Sequence, residues 1–117
     1  MKAKKALLQA LGVGGGVDRL LEVARTEKDM EVRLEAIRML GPFGGPDHAI
    51  VEIYKGGSDP SVREAALQAL FVQGNAKALI EIAKTEKDPE LKKQAVSHLA
   101  VMGSKEATAF LLEILGK

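Results

Sequence analysis

The sequence has no cysteine and no tryptophan among its 117 residues, and it has only three phenylalanines and one tyrosine. Without cysteine the chain has no disulfide, no thiolate nucleophile and no cysteine metal ligand, although this leaves the cellular compartment open. The scarcity of aromatic rings also removes the stacking platforms on which single-stranded nucleic acids are usually held.

The sequence also lacks a strong net charge and a long apolar run. Its 17 basic and 16 acidic residues give a net charge of +1, which is too balanced to indicate a nucleic-acid or anionic-lipid partner. No apolar run approaches the roughly 20 residues that a membrane-spanning helix needs. The basic start at residues 1–8 lacks the apolar stretch and cleavage site of a secretory signal. We therefore expect a soluble protein with no membrane and no nucleic-acid partner.

What the sequence does contain is one short phrase that occurs three times. The copies are Asp29-Met-Glu-Val-Arg33, Asp59-Pro-Ser-Val-Arg63 and Asp88-Pro-Glu-Leu-Lys92, which start 30 and 29 residues apart. A fixed period of this length predicts a solenoid, in which each unit buries its apolar face against the next unit.

Each copy of the phrase opens a unit of two helical stretches. Val62, Ala66, Leu67 and Leu70 lie at i, i+4, i+5 and i+8, which is one face of a helix. The aspartates are typical N-caps, and glycines follow the first stretches as helix stops. We predict an all-α single domain, an α-solenoid or superhelical stack of about eight helices whose first helix covers residues 2–11. Its four units are approximately residues 1–28, 29–58, 59–87 and 88–117.

The repeated pattern resembles a known family. Asp-Pro-x-Val-Arg-x-x-Ala-Leu-x-x-Leu, then a glycine turn and Ala-x-x-Leu-Ile-Glu-Ile, is similar to the HEAT-like repeat of the phycobilisome-lyase type. Residues 59–84 are the cleanest copy, and the C-terminal part also resembles the ends of bacterial HEAT-repeat proteins. The resemblance implies first helices on a convex side and second helices on a concave, ligand-facing side. It implies a scaffold that binds proteins and carries no catalytic residue.

The second stretches carry charges at equivalent positions. A row of glutamates is followed three residues later by a basic row, and such pairs ordinarily keep a helix soluble. On the concave side that the resemblance implies, the same charges would suit a protein or peptide of mixed charge. The residues expected to contact this partner are Arg19, Glu22, His48, Glu52, Lys55, Lys77, Glu81 and Lys84.

The charged residues of the repeated phrase are expected to be structural. In HEAT-like arrays, residues at these positions form a ladder between adjacent repeats. The ladder predicted here consists of Asp29, Arg33, Asp59, Arg63, Asp88 and Lys92. His48 and His98 lie in different units without matching carboxylates, so we predict no metal site, no cofactor and no catalytic residue.

The last helix has enough apolar residues for both an inward and an outward face. We therefore expect Phe110 and Leu112 to form an exposed apolar edge, with self-association as one consequence, and we expect the chain to be part of a larger repeat protein. Two other functions stay open. One is a lyase-like or enzyme-accessory domain that binds a tetrapyrrole or another ligand. The other is an engineered repeat module without a biological partner, against which the uneven repeat spacing argues.

Overall fold

The computed structural model of the protein describes residues 17–42, 44–57 and 59–116, and these ranges contain helices and no strand. The all-α prediction is thereby confirmed. The predicted helix at residues 2–11 lies outside the described residues, which contain seven helices rather than about eight. These are α1 (Val17–Thr26), α2 (Met30–Met39), α3 (Asp47–Gly56), α4 (Pro60–Val72), α5 (Ala76–Thr85), α6 (Pro89–Met102) and α7 (Lys105–Leu115).

The three aspartates of the repeated phrase cap α2, α4 and α6, as predicted. The side chains of Asp29, Asp59 and Asp88 accept hydrogen bonds from first-turn N–H groups at 2.8–3.4 Å. These bonds satisfy donors that would otherwise have no partner at the start of a helix. Gly74, just after α4, and Gly103, at the end of α6, have φ angles of 69° and 64°, which a glycine adopts without a steric penalty.

The apolar positions of the repeated phrase form the core. In α4, Val62, Ala66, Leu67 and Leu70 are all at most 1% exposed. The equivalent positions in α2 and α6 are also buried, except for the partly buried Val96. The core of the described part of the chain consists of apolar residues and Tyr54, whose hydroxyl donates a hydrogen bond to Glu86 at its edge. Its stability therefore comes from burial of apolar surface and close packing.

The helices pack in two layers. The first helices of the units, α2, α4 and α6, lie side by side in one layer. The second helices include α1 in contact with α3, and α5 in contact with α7. Each second helix packs extensively on the first helix of the following unit, α1 on α2, α3 on α4 and α5 on α6, and α2 packs on α4 as extensively as α3 does. All substantial contacts join helices no more than two apart in the chain, and the molecule measures 48 × 26 × 22 Å.

The turn after α2 lies directly against the end of α4. The side-chain amide of Gln73 donates hydrogen bonds to the carbonyl oxygens of Leu40 and Gly45, at 3.2 and 2.6 Å. At Gly41 a Cβ atom would lie 2.9 Å from the carbonyl oxygen of Ala69, closer than such atoms normally approach. Glycine at position 41 therefore allows the two backbones to come together.

Candidate partner-binding face

The residues predicted to contact a partner all lie on second helices and are all exposed. Arg19 and Glu22 are on α1. His48, Glu52 and Lys55 are on α3, and Lys77, Glu81 and Lys84 are on α5. We call this surface the second-helix face. It comprises Arg19, Glu22, His48, Glu52, Lys55, Lys77, Glu81 and Lys84.

One contact on this face joins neighbouring units. The Nη2 atom of Arg25 lies 3.8 Å from the Oε2 atom of Glu52, so the basic row of one unit reaches the acidic row of the next. The two side chains are 49% and 70% exposed, and an ion pair this accessible contributes little to stability. Both residues remain available to a partner because water already reaches them.

A groove of about 580 Å³ lies between α5 and α7 and brings three of the predicted residues together. Lys77, Glu81 and Lys84 line it from α5, and Glu106 lines it from α7. Ile80 is partly buried and supplies an apolar surface among these charges. The groove therefore has an apolar patch between two basic and two acidic side chains.

Sequence reasoning did not identify Ile80 and Glu106 as parts of the face. Ile80 follows Leu79 in the repeated second stretch, and an apolar residue occupies the same place at Leu21, Val51 and Leu112. In the first three units this residue is only partly buried. The sequence signal that could have identified Ile80 is that an apolar residue directly precedes the repeated glutamate in every unit. Glu106 had no such signal, because the longer turn before α7 breaks the spacing.

The start of α5 is fixed to α3. The side-chain oxygen of Asn75 accepts a hydrogen bond from the N–H of Ala78 at 3.1 Å, which caps α5. The side-chain amide of Asn75 donates to the Oδ2 atom of Asp47 at 3.2 Å. Because Asp47 is in the first turn of α3, this exposed bond links the starts of the second helices of two units.

The basic residues of the repeated phrase reach back to the preceding unit. The Nε atom of Arg33 donates to the carbonyl oxygen of Ala24 at 3.0 Å, and that of Arg63 donates to the carbonyl oxygen of Gly57 at 2.7 Å. These bonds tie the start of a first helix to the end of the helix before it. The ion-pair ladder between adjacent repeats stays a prediction.

Tyr54, Arg63 and Glu86 form a cluster that sequence reasoning did not predict. The hydroxyl of Tyr54 donates a hydrogen bond to Oε1 of Glu86, and the Nη1 atom of Arg63 lies 3.8 Å from the same oxygen. The Arg63 guanidinium also lies 5.7 Å from the centre of the Tyr54 ring, within cation–π distance. The other carboxylate oxygen of Glu86 accepts from the N–H of Asp88 at 2.9 Å.

The environment of this cluster shifts two pKa values in opposite directions. Burial, and then the hydrogen bond to the Glu86 carboxylate, raise the pKa of Tyr54 well above its ordinary range. Burial alone would raise the pKa of Glu86, but hydrogen bonds from Tyr54 and from backbone N–H groups, with the charge of Arg63, lower it overall. In this cluster the neutral phenol of Tyr54 therefore donates to the ionised carboxylate of Glu86. The three side chains join α3, α4 and the connection after α5.

The two histidines lie far apart in the fold. His48 is exposed in the first turn of α3, on the second-helix face. His98 stacks on Phe71 with ring centroids 4.7 Å apart, and burial lowers the pKa of its imidazole. The Phe71 and His98 rings line a groove of about 400 Å³ on the first-helix layer. Within the described ranges, no group of three or more histidine and acidic side chains is placed to hold a metal ion.

Of the two residues predicted to form an exposed terminal edge, only Leu112 is exposed, and the prediction is wrong for Phe110. Phe110 is only 8% exposed and packs within the core, whereas Leu112 is 64% exposed. The exposed large apolar residues of α7 are Leu112, Ile114 and Leu115.

These features define a class of protein, that of all-α proteins built from stacked two-helix repeats. Residues 49–117 match the family model for HEAT repeats. The match covers more than half of the chain, which therefore belongs to the HEAT-repeat family. Comparison with curated proteins and with solved structures gave no match. Among the described helices, none has the length and hydrophobicity to cross a bilayer.

Proposed function

We propose that this protein is a non-catalytic scaffold that binds a protein or peptide on its second-helix face. HEAT repeats commonly mediate protein–protein interaction. In this proposal the units stack as an α-solenoid, and α1, α3, α5 and α7 line its concave side. The two-layer packing and the elongated dimensions support that arrangement.

The observation that carries the proposal is the groove between α5 and α7. Protein interfaces combine an apolar centre with a polar rim, and Ile80 surrounded by Lys77, Glu81, Lys84 and Glu106 has this composition. The groove suits a partner segment that places an apolar side chain on Ile80 and charged side chains of both signs around it. Charges of both signs favour one alignment of such a segment over others.

The first-helix layer offers a less suitable surface. Its groove is lined in part by side chains that already bond one another, since Gln94 Nε2 donates to Glu64 Oε2 at 2.9 Å. The Phe71 and His98 rings in the same groove are stacked on each other. A partner that entered this groove would have to displace the Gln94–Glu64 hydrogen bond or the stacked rings.

Charge reversal on the two layers tests the proposal. The double variant Glu52→Lys/Glu81→Lys changes the second-helix face, and Glu64→Lys/Glu90→Lys makes the same change in net charge on the first helices. Proteins captured from the source lysate by the immobilised wild-type chain are quantified against both variants. We expect retention to fall at least ~10-fold for the first variant, about 1.4 kcal/mol, and to change little for the second. Equal capture by both variants would show that the second-helix face is not the binding surface.

The tetrapyrrole-binding alternative stays a prediction, for which a coloured protein after purification would be the first support. The engineered-module alternative predicts no partner at all. It would be favoured if neither the wild-type chain nor the first-helix variant retained any protein above background.

A further inference from the structure

Two cavities of about 290 Å³ lie at equivalent places in the repeat. The first, between α1, α2 and α3, is lined by Ala24, Arg25, Arg33, Glu52, Ile53 and Gly56. The second, between α5, α6 and α7, is lined by Ala83, Lys84, Lys92, Phe110, Glu113 and Ile114. Apart from Gly56 and Phe110, each lining residue of one cavity has its counterpart at the same repeat position in the other.

The junction between these two cavities differs by one large side chain. Tyr54 stands at the position of Ala24 and Ala83, and the basic residue nine positions later is Arg63. The Tyr54 side chain is buried, and its ring centre lies 5.7 Å from the Arg63 guanidinium. The ring therefore takes up the space that an alanine leaves at the other two junctions.

The first cavity combines apolar walls with two basic side chains. Ala24 and Ile53 are buried, and the Nε atom of Arg33 donates to the Ala24 carbonyl oxygen at 3.0 Å, which holds the guanidinium beside the cavity. The charged atoms of Arg25 and Glu52 are 3.8 Å apart, beyond the length of a hydrogen bond. Since the basic side chains outnumber the acidic one, the cavity favours an anion.

The second cavity has the same balance of charge. Lys84 and Lys92 are its basic residues, and Glu113 is the acidic one. The Nζ atom of Lys84 lies 6.0 Å from the centre of the Phe110 ring, at the limit of cation–π distance. Phe110 and Ala83, both buried, supply the apolar wall. Both cavities can therefore take a side chain that has an apolar stem and an anionic end.

We propose that these cavities are two equivalent acceptor sites for glutamate side chains of the partner, an inference that rests on the proposed function and specifies the partner's chemistry. The carboxylate pairs with the basic side chains, and the methylene groups contact the apolar wall. Packed helices lie about 8–10 Å apart, so cavities two second helices apart are separated by about 16–20 Å. An extended chain advances about 3.3 Å per residue, so glutamates about six positions apart reach both cavities.

An NMR titration of the ¹⁵N-labelled full chain at neutral pH tests the proposal with defined probes. The main probe is a glycine-serine peptide with glutamates at its first and seventh positions. We expect backbone amide shifts at both cavities that saturate with one peptide per chain. The dissociation constant should be at least ~10-fold lower than for the peptide with one glutamate, because the second contact becomes intramolecular. A peptide with glutamine at both positions should leave the spectrum unchanged.

Two single variants separate the cavities. With the one-glutamate peptide, Arg25→Gln should remove the shift at Ala24 and keep the shift at Ala83, and Lys84→Gln should do the reverse. Each variant should also lose the ~10-fold advantage of the two-glutamate peptide. Both substituted side chains are exposed, so the fold should be kept, and the two variants have the same net charge. Each variant is therefore the control for the other.

Equal losses at both cavities in both variants would indicate an effect of net charge alone and would overturn the proposal. So would the absence of peptide-dependent shifts, or shifts confined to the groove around Ile80. The scaffold function is tested separately by capture with the charge-reversed variants. Capture that depends on the second-helix face, together with a failed glutamate titration, would leave that function standing and remove only the glutamate sites.

Discussion

At the scale of single residues, the Tyr54–Glu86 hydrogen bond is a contact that the other described units do not have. Tyr54 stands where two other units have Ala24 and Ala83, and Glu86 stands where the preceding unit has Gly57. Glu86 and Arg63 have counterparts in Glu27 and Arg33, so Tyr54 is the member of the cluster that does not recur. The hydrogen bond that Tyr54 donates distinguishes this junction of the stack from the others.

The pKa shifts in this cluster determine how it responds to pH. The pKa of Tyr54 is raised on folding, so the neutral phenol contributes stability that is complete below its unfolded value of about 10 and is lost as pH rises further. The pKa of Glu86 is lowered on folding, so its carboxylate contributes stability above its unfolded value of about 4.3 that is lost in acid.

The alkaline limb gives a testable prediction. Above pH ~10 the free energy of unfolding should fall by up to ~1.4 kcal/mol per pH unit from Tyr54 alone, and Tyr54→Phe should lack this component. Urea unfolding of both proteins across this range measures the difference. Since Tyr54 is the only tyrosine, tyrosinate absorbance reports its titration directly. Tyrosinate that forms near pH ~10 in a chain still folded would contradict the assignment.

At the scale of helices, local sequence signals account for most of the structure. Aspartate caps and the apolar spacing at i, i+4, i+5 and i+8 predicted where α2, α4 and α6 begin and which faces they bury. The Tyr54 cluster and the hydrogen bonds of Gln73 were not predictable, because they join residues about 30 positions apart through two side chains, Tyr54 and Gln73, that do not recur in the repeat. Composition also could not separate Phe110 from Leu112, since both are large and apolar and only the packing of α7 shows which one is buried.

Two glycines near helix ends should respond to alanine with opposite signs. Gly41→Ala places a Cβ atom 2.9 Å from a backbone oxygen of α4 and should destabilise the fold by about 1–3 kcal/mol. Gly56→Ala, at the end of α3, has no atom within 4 Å of the new Cβ and should stabilise it by up to ~1 kcal/mol. Urea unfolding of the two variants measures both effects. Equal effects of the two substitutions would mean that the close approach of α2 and α4 is absent.

At the scale of the whole molecule, the packing leaves long accessible surfaces along the row of helices. All substantial contacts join helices close in sequence, so the units form a row whose layers stay accessible along their length. The repeated charges on the second helices lie exposed along this row.

The central claim is that the second-helix face contacts a protein partner, and site-specific photo-crosslinking tests it most directly. A photoreactive amino acid is placed at position 81, in the groove between α5 and α7, and in a matched protein at position 64, on the first-helix layer. Both positions are exposed glutamates in the wild-type chain, so the two proteins differ mainly in which layer carries the probe. We predict a discrete cross-linked partner from position 81 and none from position 64. The same partner from both positions, or a partner from position 64 alone, would contradict the account.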